Sequence, residues 1–246
     1  MPASCSRRDT LLVLPAYNEE VALGGVIAEL RAEMPDAQIL VVDDGSSDGT
    51  AAVARRSGVR LLQLPFNVGV GGAIRAGLLV GQREHVGAVV QCDADGQHPP
   101  EYIPHLLAGL ADADIVIGAR FAGEGDYRVR GARNWAMVLL AHVMSRVHHA
   151  RLTDITSGFR AFGPAAIEVL SRELPPEYLG DTVEALVIAR EFRLRVKQVP
   201  VAMRPRQGGV ASQRAFRAML YLLRVMLILM LALLRLVNAR VRRRGR

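Results

Sequence analysis

The residues with the clearest chemical potential are Asp93 and Asp95, which stand one residue apart directly after an apolar run. That run, residues 86–90, is typical of a buried strand in a parallel sheet. Two carboxylates at the end of such a strand repel each other unless a cation lies beside them, and a hard divalent ion prefers oxygen ligands. Gln97 offers a further neutral oxygen. The spacing therefore predicts a divalent-cation site that leaves positions open for the phosphate oxygens of a nucleoside diphosphate.

The same stretch also has a plainer interpretation. Both aspartates are then ordinary loop carboxylates, Asp95-Gly96 forms a turn, and residues 98–101 start the next helix. Taken alone, the D-x-D spacing favours this second interpretation. The cation site gains weight only if other strand ends point to the same place.

Polar residues follow each of the first four predicted strands, residues 10–14, 38–42, 60–64 and 86–90. Helical patterns separate these strands, which predicts a mostly parallel α/β sheet with helices on both faces. Ligands of such sheets bind outside the carboxyl ends of the strands. The polar residues expected at that edge are Tyr17, Glu19, Asp43, Asp44, Asn67, Gly69, Asp93 and Asp95.

Beyond the first four strands the pattern predicts five further elements. These are a strand over residues 113–118, a helix over 135–147, a short strand-like piece within 153–162, a helix over 179–192 and a strand over 195–203.

Familiar phosphate and calcium motifs do not fit these loops. The stretch from Asp44 to Asp48 begins like a calcium loop, but its closing acidic position is Arg55. Residues 69–74 lack the third glycine of a dinucleotide fingerprint, and Lys197, the sole lysine, is in no phosphate loop. The small residues around Gly71 permit either close approach to a ligand or tight packing of a helix on the sheet.

Composition limits the choice of partners. The chain has 246 residues, a formal net charge of +7 and only 5% aromatic residues, so base stacking on nucleic acid is not expected. Arginines cluster beyond residue 203, which favours a membrane surface or phosphates as the partner. Two cysteines form no disulfide framework, and no signal peptide is expected. Of the six histidines, His98 alone is ambiguous, because it adjoins the acidic loop.

Read together, the loops resemble the family 2 glycosyltransferases of the GT-A fold, and among them the dolichyl- or polyprenyl-phosphate mannosyl- and glucosyltransferases. The matching stretches occur in the family's order across roughly residues 10 to 212. They are residues 14–20, 41–50, 67–77, 92–101 and 153–160, with a weaker match at 199–209.

The resemblance implies a role for each matching residue. Pro15, Tyr17, Glu19 and Asp43 correspond to the pocket for the base and ribose, to which the neighbouring Asp44, Asn67 and Gly71 are added. The metal and diphosphate site corresponds to Asp93, Asp95 and Gln97, with Mg²⁺ or Mn²⁺ as the cofactor. The acceptor phosphate would be held by Arg120 and Arg133.

The expected acceptor follows from one difference between this sequence and the family pattern. Family members that act on sugar hydroxyls have a Glu-Asp pair whose carboxylate takes the proton, whereas here Glu184 is followed by Ala185. A phosphate is already ionised at neutral pH and needs orientation more than deprotonation. The sequence thus favours a phosphate acceptor. Asp181 and Glu184 remain candidates for a base or a sugar contact, or form a solvated helix face.

The sequence predicts a catalytic domain over residues 1–212 and a C-terminal appendage after it. Residues 213–246 are interpreted as an amphipathic helix and a basic tail. The longest run without charged or polar residues is 225–234, which is shorter than the ~20 residues that span a bilayer. We expect this segment to lie on an anionic membrane at its cytoplasmic face. The alternatives are docking on the domain or pairing with a second copy, and a membrane partner protein would complete the attachment.

The sequence therefore predicts an inverting, metal-dependent transferase that moves a hexose from a nucleotide sugar, GDP-mannose or UDP-glucose, to polyprenyl phosphate. One alternative is a family 2 glycosyltransferase with a saccharide or other hydroxyl acceptor. A second is a non-catalytic nucleotide-sugar-binding or membrane scaffold protein.

Overall fold

The apolar runs of the sequence form the strands of one sheet. The structure is a computed structural model that describes residues 9–120, 132–148, 150–175 and 181–205, and for residues 132–139 and 181 it describes the backbone. The strands are β1 (Thr10–Ala16), β2 (Gln38–Asp43), β3 (Arg60–Gln63), β4 (Ala88–Gln91), β5 (Ile115–Ala119), β6 (Arg160–Phe162) and β7 (Val196–Pro200).

Helices connect most of these strands, as the alternating pattern predicts. They are α1 (Leu23–Glu33), α2 (Thr50–Arg56), α3 (Val70–Arg83), α4 (Ile103–Gly109), α5 (Ala132–His148), α6 (Pro164–Glu173) and α7 (Asp181–Glu191), with a short 3-10 helix at Pro100–Tyr102 before α4.

The strand order across the described sheet is β3-β2-β1-β4-β6-β5-β7. Strands β1 to β4 pair in parallel, and β5 pairs in parallel with β7. β6 runs antiparallel to both of its neighbours, β4 and β5. The predicted mostly parallel α/β sheet with flanking helices is confirmed.

The alternation of side chains along β1 divides the core in two. Leu11 and Val13 face one side of the sheet, where they join the buried residues of α3, α5, α6 and α7. Leu12 and Leu14 face the other side and pack with α1, α2 and α4. Because successive side chains of a strand point to opposite faces, both faces of the sheet must be covered.

Glycines let α3 approach the sheet closely. A Cβ atom at Gly77 would lie 2.4 Å from Val13 Cγ1, and one at Gly81 would lie 2.6 Å from Val89 Cγ2. These contacts with β1 and β4 fix the position of α3, which begins at Val70 after the loop that follows β3.

Most predicted elements are present with ends shifted by one to three residues. Helix α6 was not predicted, and the strand expected over residues 195–203 begins at Val196 and ends at Pro200. A helix does start within residues 98–101, because the 3-10 helix begins at Pro100 and leads into α4. Pro200 and Pro205 remove amide donors that a longer strand would need. The predicted C-terminal helix at 213–246 lies outside the described residues. Within the described ranges, no helix is long and apolar enough to cross a bilayer.

Candidate active site

The loops after β1, β2, β3 and β4 enclose one cavity of ≈ 360 Å³ at the carboxyl edge of the sheet. Both acidic and apolar side chains line it, so it suits a ligand that carries a charged group and a ring. The lining residues are Pro15, Ala16, Tyr17, Glu19, Asp44, Asn67, Gly69, Val70, Ala73, Asp93, Ala94, Asp95 and Gln97.

Hydrogen bonds hold the loops after β1 and β2 together. The amide of Asn18 donates to Ser46 Oγ at 3.0 Å, and Asn18 Oδ1 accepts from the Ser47 amide at 2.9 Å. The amide of Glu20 donates to Asp48 Oδ2 at 3.2 Å. Asp48, part of the calcium-loop pattern, therefore serves as an acceptor that joins the two loops.

Asp44 shapes the loop that leads into α3. Its two carboxylate oxygens accept the amides of Val68 and Gly69, both at 2.8 Å. Burial raises the pKa of Asp44, although these two hydrogen bonds lower it in part. Gly69 has φ of +90°, which favours glycine. Next to it Asn67 lines the cavity, and its Oδ1 atom is buried without a donor among the described residues.

The carboxylate of Asp43 forms hydrogen bonds with two other side chains or amides of the fold. Its carboxylate accepts the Ser46 amide at 3.0 Å and Gln63 Nε2 at 3.2 Å, and the residue is 2% exposed. Asp43 is not among the residues that line this cavity, and its place in the pocket for the base and ribose stays a prediction. Gly71 is also absent from the lining, because Val70 and Ala73 occupy the cavity face of α3 and position 71 lies a third of a turn away.

The loop after β4 brings the D-x-D pair into the cavity. Asp93 and Asp95 both line it, as does Gln97, whose amide donates to Asp95 Oδ1 at 3.0 Å. His98 accepts the Asp93 amide on Nδ1 at 2.9 Å. The loop is thus folded on itself, and Asp93 and Asp95 line the same cavity as residues from the loops after β1 and β2.

This donor set fits a hard divalent ion. Asp93, Asp95 and Gln97 offer carboxylate and amide oxygens, the ligands that Mg²⁺ and Mn²⁺ accept. In the described part of the chain, no group of three or more His, Cys, Asp or Glu side chains is placed to hold a metal by itself. An ion here would need further oxygens from a ligand, which is the usual arrangement for a metal bound with a diphosphate.

Gly158 leaves room for the Asp93 carboxylate. A Cβ atom at position 158 would lie 3.1 Å from Asp93 Oδ1, 3.2 Å from Asp93 Oδ2 and 3.3 Å from Gln91 Nε2. The loop before β6 therefore packs against the end of β4 so closely that only glycine fits without displacement of the carboxylate. This contact links the loop at 153–159 to the cavity.

We expect Gly158→Ala to weaken Mn²⁺ binding roughly tenfold, because the added methyl displaces a candidate metal ligand. Calorimetric titration of Mn²⁺ in the presence of UDP or GDP measures the effect. Gly25→Ala is the matched control, since a Cβ atom there meets nothing within 4 Å, and it should leave the affinity unchanged. Equal affinities in the wild type and Gly158→Ala would show that the carboxylate adjusts without cost.

Arg120, predicted to bind an acceptor phosphate, is held by Asp154. Its Nε donates to Asp154 Oδ2 at 2.6 Å, and its Nη2 atom donates to Asp154 Oδ1 at 3.0 Å and to Thr156 Oγ1 at 2.9 Å. Burial alone would raise the pKa of Asp154, but hydrogen bonds and charge from Arg120 lower it below its ordinary value. The guanidinium is therefore oriented by a carboxylate that stays ionised.

A buried arginine connects this loop to α7. Arg160 is 2% exposed, and its guanidinium donates to the carbonyl oxygens of Ile155 at 2.9 Å, Ser157 at 2.8 Å and Thr182 at 3.0 Å. Thr182 lies in the first turn of α7, the helix of the candidate base Glu184. Glu184 is half-buried and does not line the cavity.

The predicted site residues thus fall into three groups. Arg120 and Glu184 lie outside the lining, as Asp43 and Gly71 do. The side chains of Arg133 and Asp181 lie outside the described residues. The predicted residues that share the cavity are Pro15, Tyr17, Glu19, Asp44, Asn67, Asp93, Asp95 and Gln97.

The sequence pattern indicated a tight approach at Gly158, but it assigned no role to Asp154 or Arg160, which lie in the same stretch. An arginine within an apolar strand pattern, residues 159–162, was the available signal that a buried cation holds carbonyl groups. The partners of that cation are distant in sequence and only the fold identifies them.

The chain matches a family model described as glycosyl transferase family 2 over residues 11–170. It is 32% identical over 209 residues to the undecaprenyl-phosphate mannosyltransferase of Micrococcus luteus, an alignment that covers 81% of this chain and 85% of the relative. It is 33% identical over 204 residues to the dolichyl-phosphate hexose transferase of Haloferax volcanii, with coverage of 81% and 85%.

The fold is similar to that of solved structures. Glucosyl-3-phosphoglycerate synthase from Mycobacterium tuberculosis, crystallised with Mn²⁺, UDP and glucosyl-3-phosphoglycerate, superposes with a TM-score of 0.68 and 23% sequence identity. The match covers 91% of this chain and 79% of that one. At this identity the similarity establishes the GT-A fold.

Proposed function

The chain belongs to glycosyl transferase family 2 and is a glycosyltransferase, and we propose that it moves a hexose from a nucleotide sugar to polyprenyl phosphate. The proposed donor is GDP-mannose or UDP-glucose, the cofactor Mg²⁺ or Mn²⁺, and the stereochemical outcome inversion. Family membership sets aside the non-catalytic scaffold alternative. The observation that carries the proposal is the cavity in which Asp93 and Asp95 face residues from the β1, β2 and β3 loops.

The donor half of the proposal rests on the lining of the cavity. Tyr17 and Pro15 offer apolar surface for a base, and Glu19 and Asn67 offer oxygens for ribose hydroxyls. The buried Oδ1 of Asn67, which has no donor among the described residues, suits a hydroxyl that a ligand supplies. The phosphates would lie toward Asp93, Asp95 and Gln97.

These three residues would hold the divalent ion together with the diphosphate. When bound, such an ion neutralises the negative charge that develops on the nucleoside diphosphate as the bond to the sugar breaks. The chain's own part is to present two carboxylates at the end of a rigid strand, with Asp95 fixed by the Gln97 amide. Attack from the opposite side of the sugar, in a single displacement, gives inversion.

The acceptor half rests on Arg120 and on two relatives. The relatives from Micrococcus and Haloferax act, by their names, on undecaprenyl phosphate and dolichyl phosphate. An arginine already oriented by Asp154 is suited to bind a phosphate without first losing side-chain freedom. Arg133 is proposed as its companion, and Asp181 or Glu184 as a contact to the sugar.

We further propose that residues 213–246 bind the cytoplasmic face of an anionic membrane and bring the domain to its lipid acceptor. A membrane partner protein or a second copy of the chain would strengthen the attachment. The support is the arrangement of arginines on an apolar segment of the sequence.

Incubation with labelled GDP-mannose or UDP-glucose, Mn²⁺ and a polyprenyl phosphate tests the proposal. The expected result is label in a lipid fraction that mild acid releases, because a sugar linked to a lipid phosphate is acid-labile. A water-soluble or polymeric product instead would contradict the lipid acceptor and favour a saccharide or another hydroxyl. The same panel identifies the donor.

Removal of the basic tail should weaken membrane binding. We expect neutralisation of Arg242–Arg244 with glutamine to lower the affinity for phosphatidylserine vesicles by roughly a hundredfold, since each arginine near an anionic surface contributes about 1 kcal/mol. Vesicle co-sedimentation measures this. Glutamine at the exposed Arg56, Arg83 and Arg172 is the charge-matched control. Similar losses in both variants would mean that net charge, not the tail, governs binding.

A further inference from the structure

His98 holds the first residue of the D-x-D pair in place. Its Nδ1 atom accepts the backbone amide of Asp93 at 2.9 Å, so a side chain closes the loop that the two aspartates occupy. The same imidazole approaches the Asp93 carboxylate, with 3.5 Å between Nε2 and Oδ2. Both the backbone and the side chain of Asp93 are therefore in reach of one ring.

The ring of His98 is fixed in turn by Phe159. The two rings stack with their centroids 4.8 Å apart and an interplanar angle of 11°. Phe159 is fully buried and follows Gly158, where an added Cβ atom would lie 3.1 Å from Asp93 Oδ1. The residue preceding β6 thus supports the imidazole, and its glycine neighbour leaves space for the carboxylate.

These contacts determine the tautomer. Because Nδ1 accepts a hydrogen bond, the single proton of a neutral imidazole is on Nε2, the atom nearer to Asp93 Oδ2. Burial lowers the pKa of His98 to about 4, an effect that Arg120 reinforces and that Asp95 and Asp154 oppose. The orientation of the ring is set by the hydrogen bond from the Asp93 amide and by packing on Phe159.

We infer that His98 is a positioning residue that sets the backbone and carboxylate of Asp93 for a divalent cation bound with a nucleoside diphosphate. The inference rests on the proposed function, which supplies the cation. Partners of this kind, which orient a metal ligand from behind, typically change metal affinity by 10- to 100-fold when they are replaced. A histidine that only filled the core would affect stability without a selective effect on the metal.

Two substitutions separate the hydrogen bond from the stacking. His98→Phe keeps an aromatic ring against Phe159 but gives the Asp93 amide no acceptor. His98→Asn keeps an oxygen where Nδ1 lies but removes the stacked ring. His105→Phe is the matched control, because His105 is exposed and contacts only the ring of Tyr102, at 6.1 Å, among the ring pairs that the structure describes.

The first readout does not depend on a metal. We expect the Asp93 amide, followed by ¹⁵N NMR in the unliganded protein, to exchange with solvent at least tenfold faster in His98→Phe than in the wild type. In His98→Asn and His105→Phe the amide should remain protected. Equal protection in His98→Phe and the wild type would overturn the inference.

The second readout is Mn²⁺ titrated calorimetrically in the presence of UDP or GDP. We expect His98→Phe to bind the ion 10- to 100-fold more weakly and His98→Asn to recover most of that loss. Unchanged Mn²⁺ affinity in a folded His98→Phe variant would also overturn the inference and leave the proposed function standing. If the wild type itself bound no Mn²⁺ with either nucleotide, the proposed function would fail, while the amide exchange would still report whether His98 fixes Asp93.

Discussion

Replacement of Asp95 by asparagine is expected to lower the transfer rate about a thousandfold. The change keeps the shape of the side chain and its acceptor oxygen for the Gln97 amide, so the loop should retain its fold. What is lost is one of the two negative charges for a divalent ion, whose stabilisation of the leaving group is worth several kcal/mol, and about 4 kcal/mol corresponds to that factor. Initial rates at saturating Mn²⁺ and nucleotide sugar measure it.

Asp112→Asn provides the charge-matched control. Asp112 is exposed, pairs with Lys197 and precedes β5 at the opposite end of the sheet from the cavity, so its removal should leave the rate unchanged. A rate for Asp95→Asn within threefold of the wild type would argue that Asp95 holds no catalytic cation. A second measurement separates folding from function, since both variants should unfold at the temperature of the wild type within a few degrees.

Replacement of Asp154 by alanine should be the most destabilising change in the site. Asp154 is 1% exposed and accepts five hydrogen bonds from the side chain and backbone of Arg120 and of Thr156. Removal of one partner of a buried ion pair costs about 3–5 kcal/mol, because the remaining charge is left uncompensated. Thermal unfolding should show a fall of roughly 10 °C for a chain of this size, and a larger rise in KM for the lipid phosphate than for the nucleotide sugar.

Glu168→Ala is the control for the ion pair itself. Glu168 pairs with Arg172 at 3.4 Å on the surface of α6, where both side chains are more than half exposed, so its loss should change the stability by less than about 1 kcal/mol. A similar effect of the two substitutions would show that the Asp154 pair is not effectively buried.

The pH dependence gives an independent check on Asp154. Its pKa in the fold lies below the ordinary value, so its stabilisation is complete above the pKa of the unfolded chain, about 3.9, and is lost as the pH falls through the lowered folded value. Asp154→Asn cannot titrate. The difference in unfolding free energy between this variant and the wild type should therefore be largest near pH 7 and should narrow below pH 4.

The strands were predictable where an apolar run and the turn residues that follow it indicate the same boundary. The runs at residues 10–14, 38–42 and 86–90 are apolar and end in turn residues, and the strands lie there. β6 was harder, because residues 160–162 are few and one of them is arginine. Its antiparallel place between β4 and β5 is set by long-range pairing, which the local pattern does not contain. α6 was missed because it is short and begins at a proline that also fits a loop.

Part of the candidate site was likewise predictable from the sequence, and part was not. The convergence of Glu19, Asn67 and Asp93 on one cavity followed from the rule that parallel strands end at one edge. That rule places residues at an edge but does not direct their side chains, and it could not predict that the Asp43 carboxylate accepts hydrogen bonds from Ser46 and Gln63. The partnership of Arg120 with Asp154 spans 34 residues and needs the tertiary structure.

The antiparallel position of β6 between β4 and β5 affects folding during synthesis on the ribosome. During synthesis β1 to β4 leave the ribosome first, but the edge of β4 stays unpaired until residues 160–162 arrive, some seventy residues later. An unpaired edge strand invites association with other chains. Until that strand docks, the nascent polypeptide also lacks the Gly158–Phe159 support for the acidic loop. Ribosome-bound fragments that end before residue 158 should therefore be aggregation-prone and should bind nucleotide more weakly than the 246-residue chain.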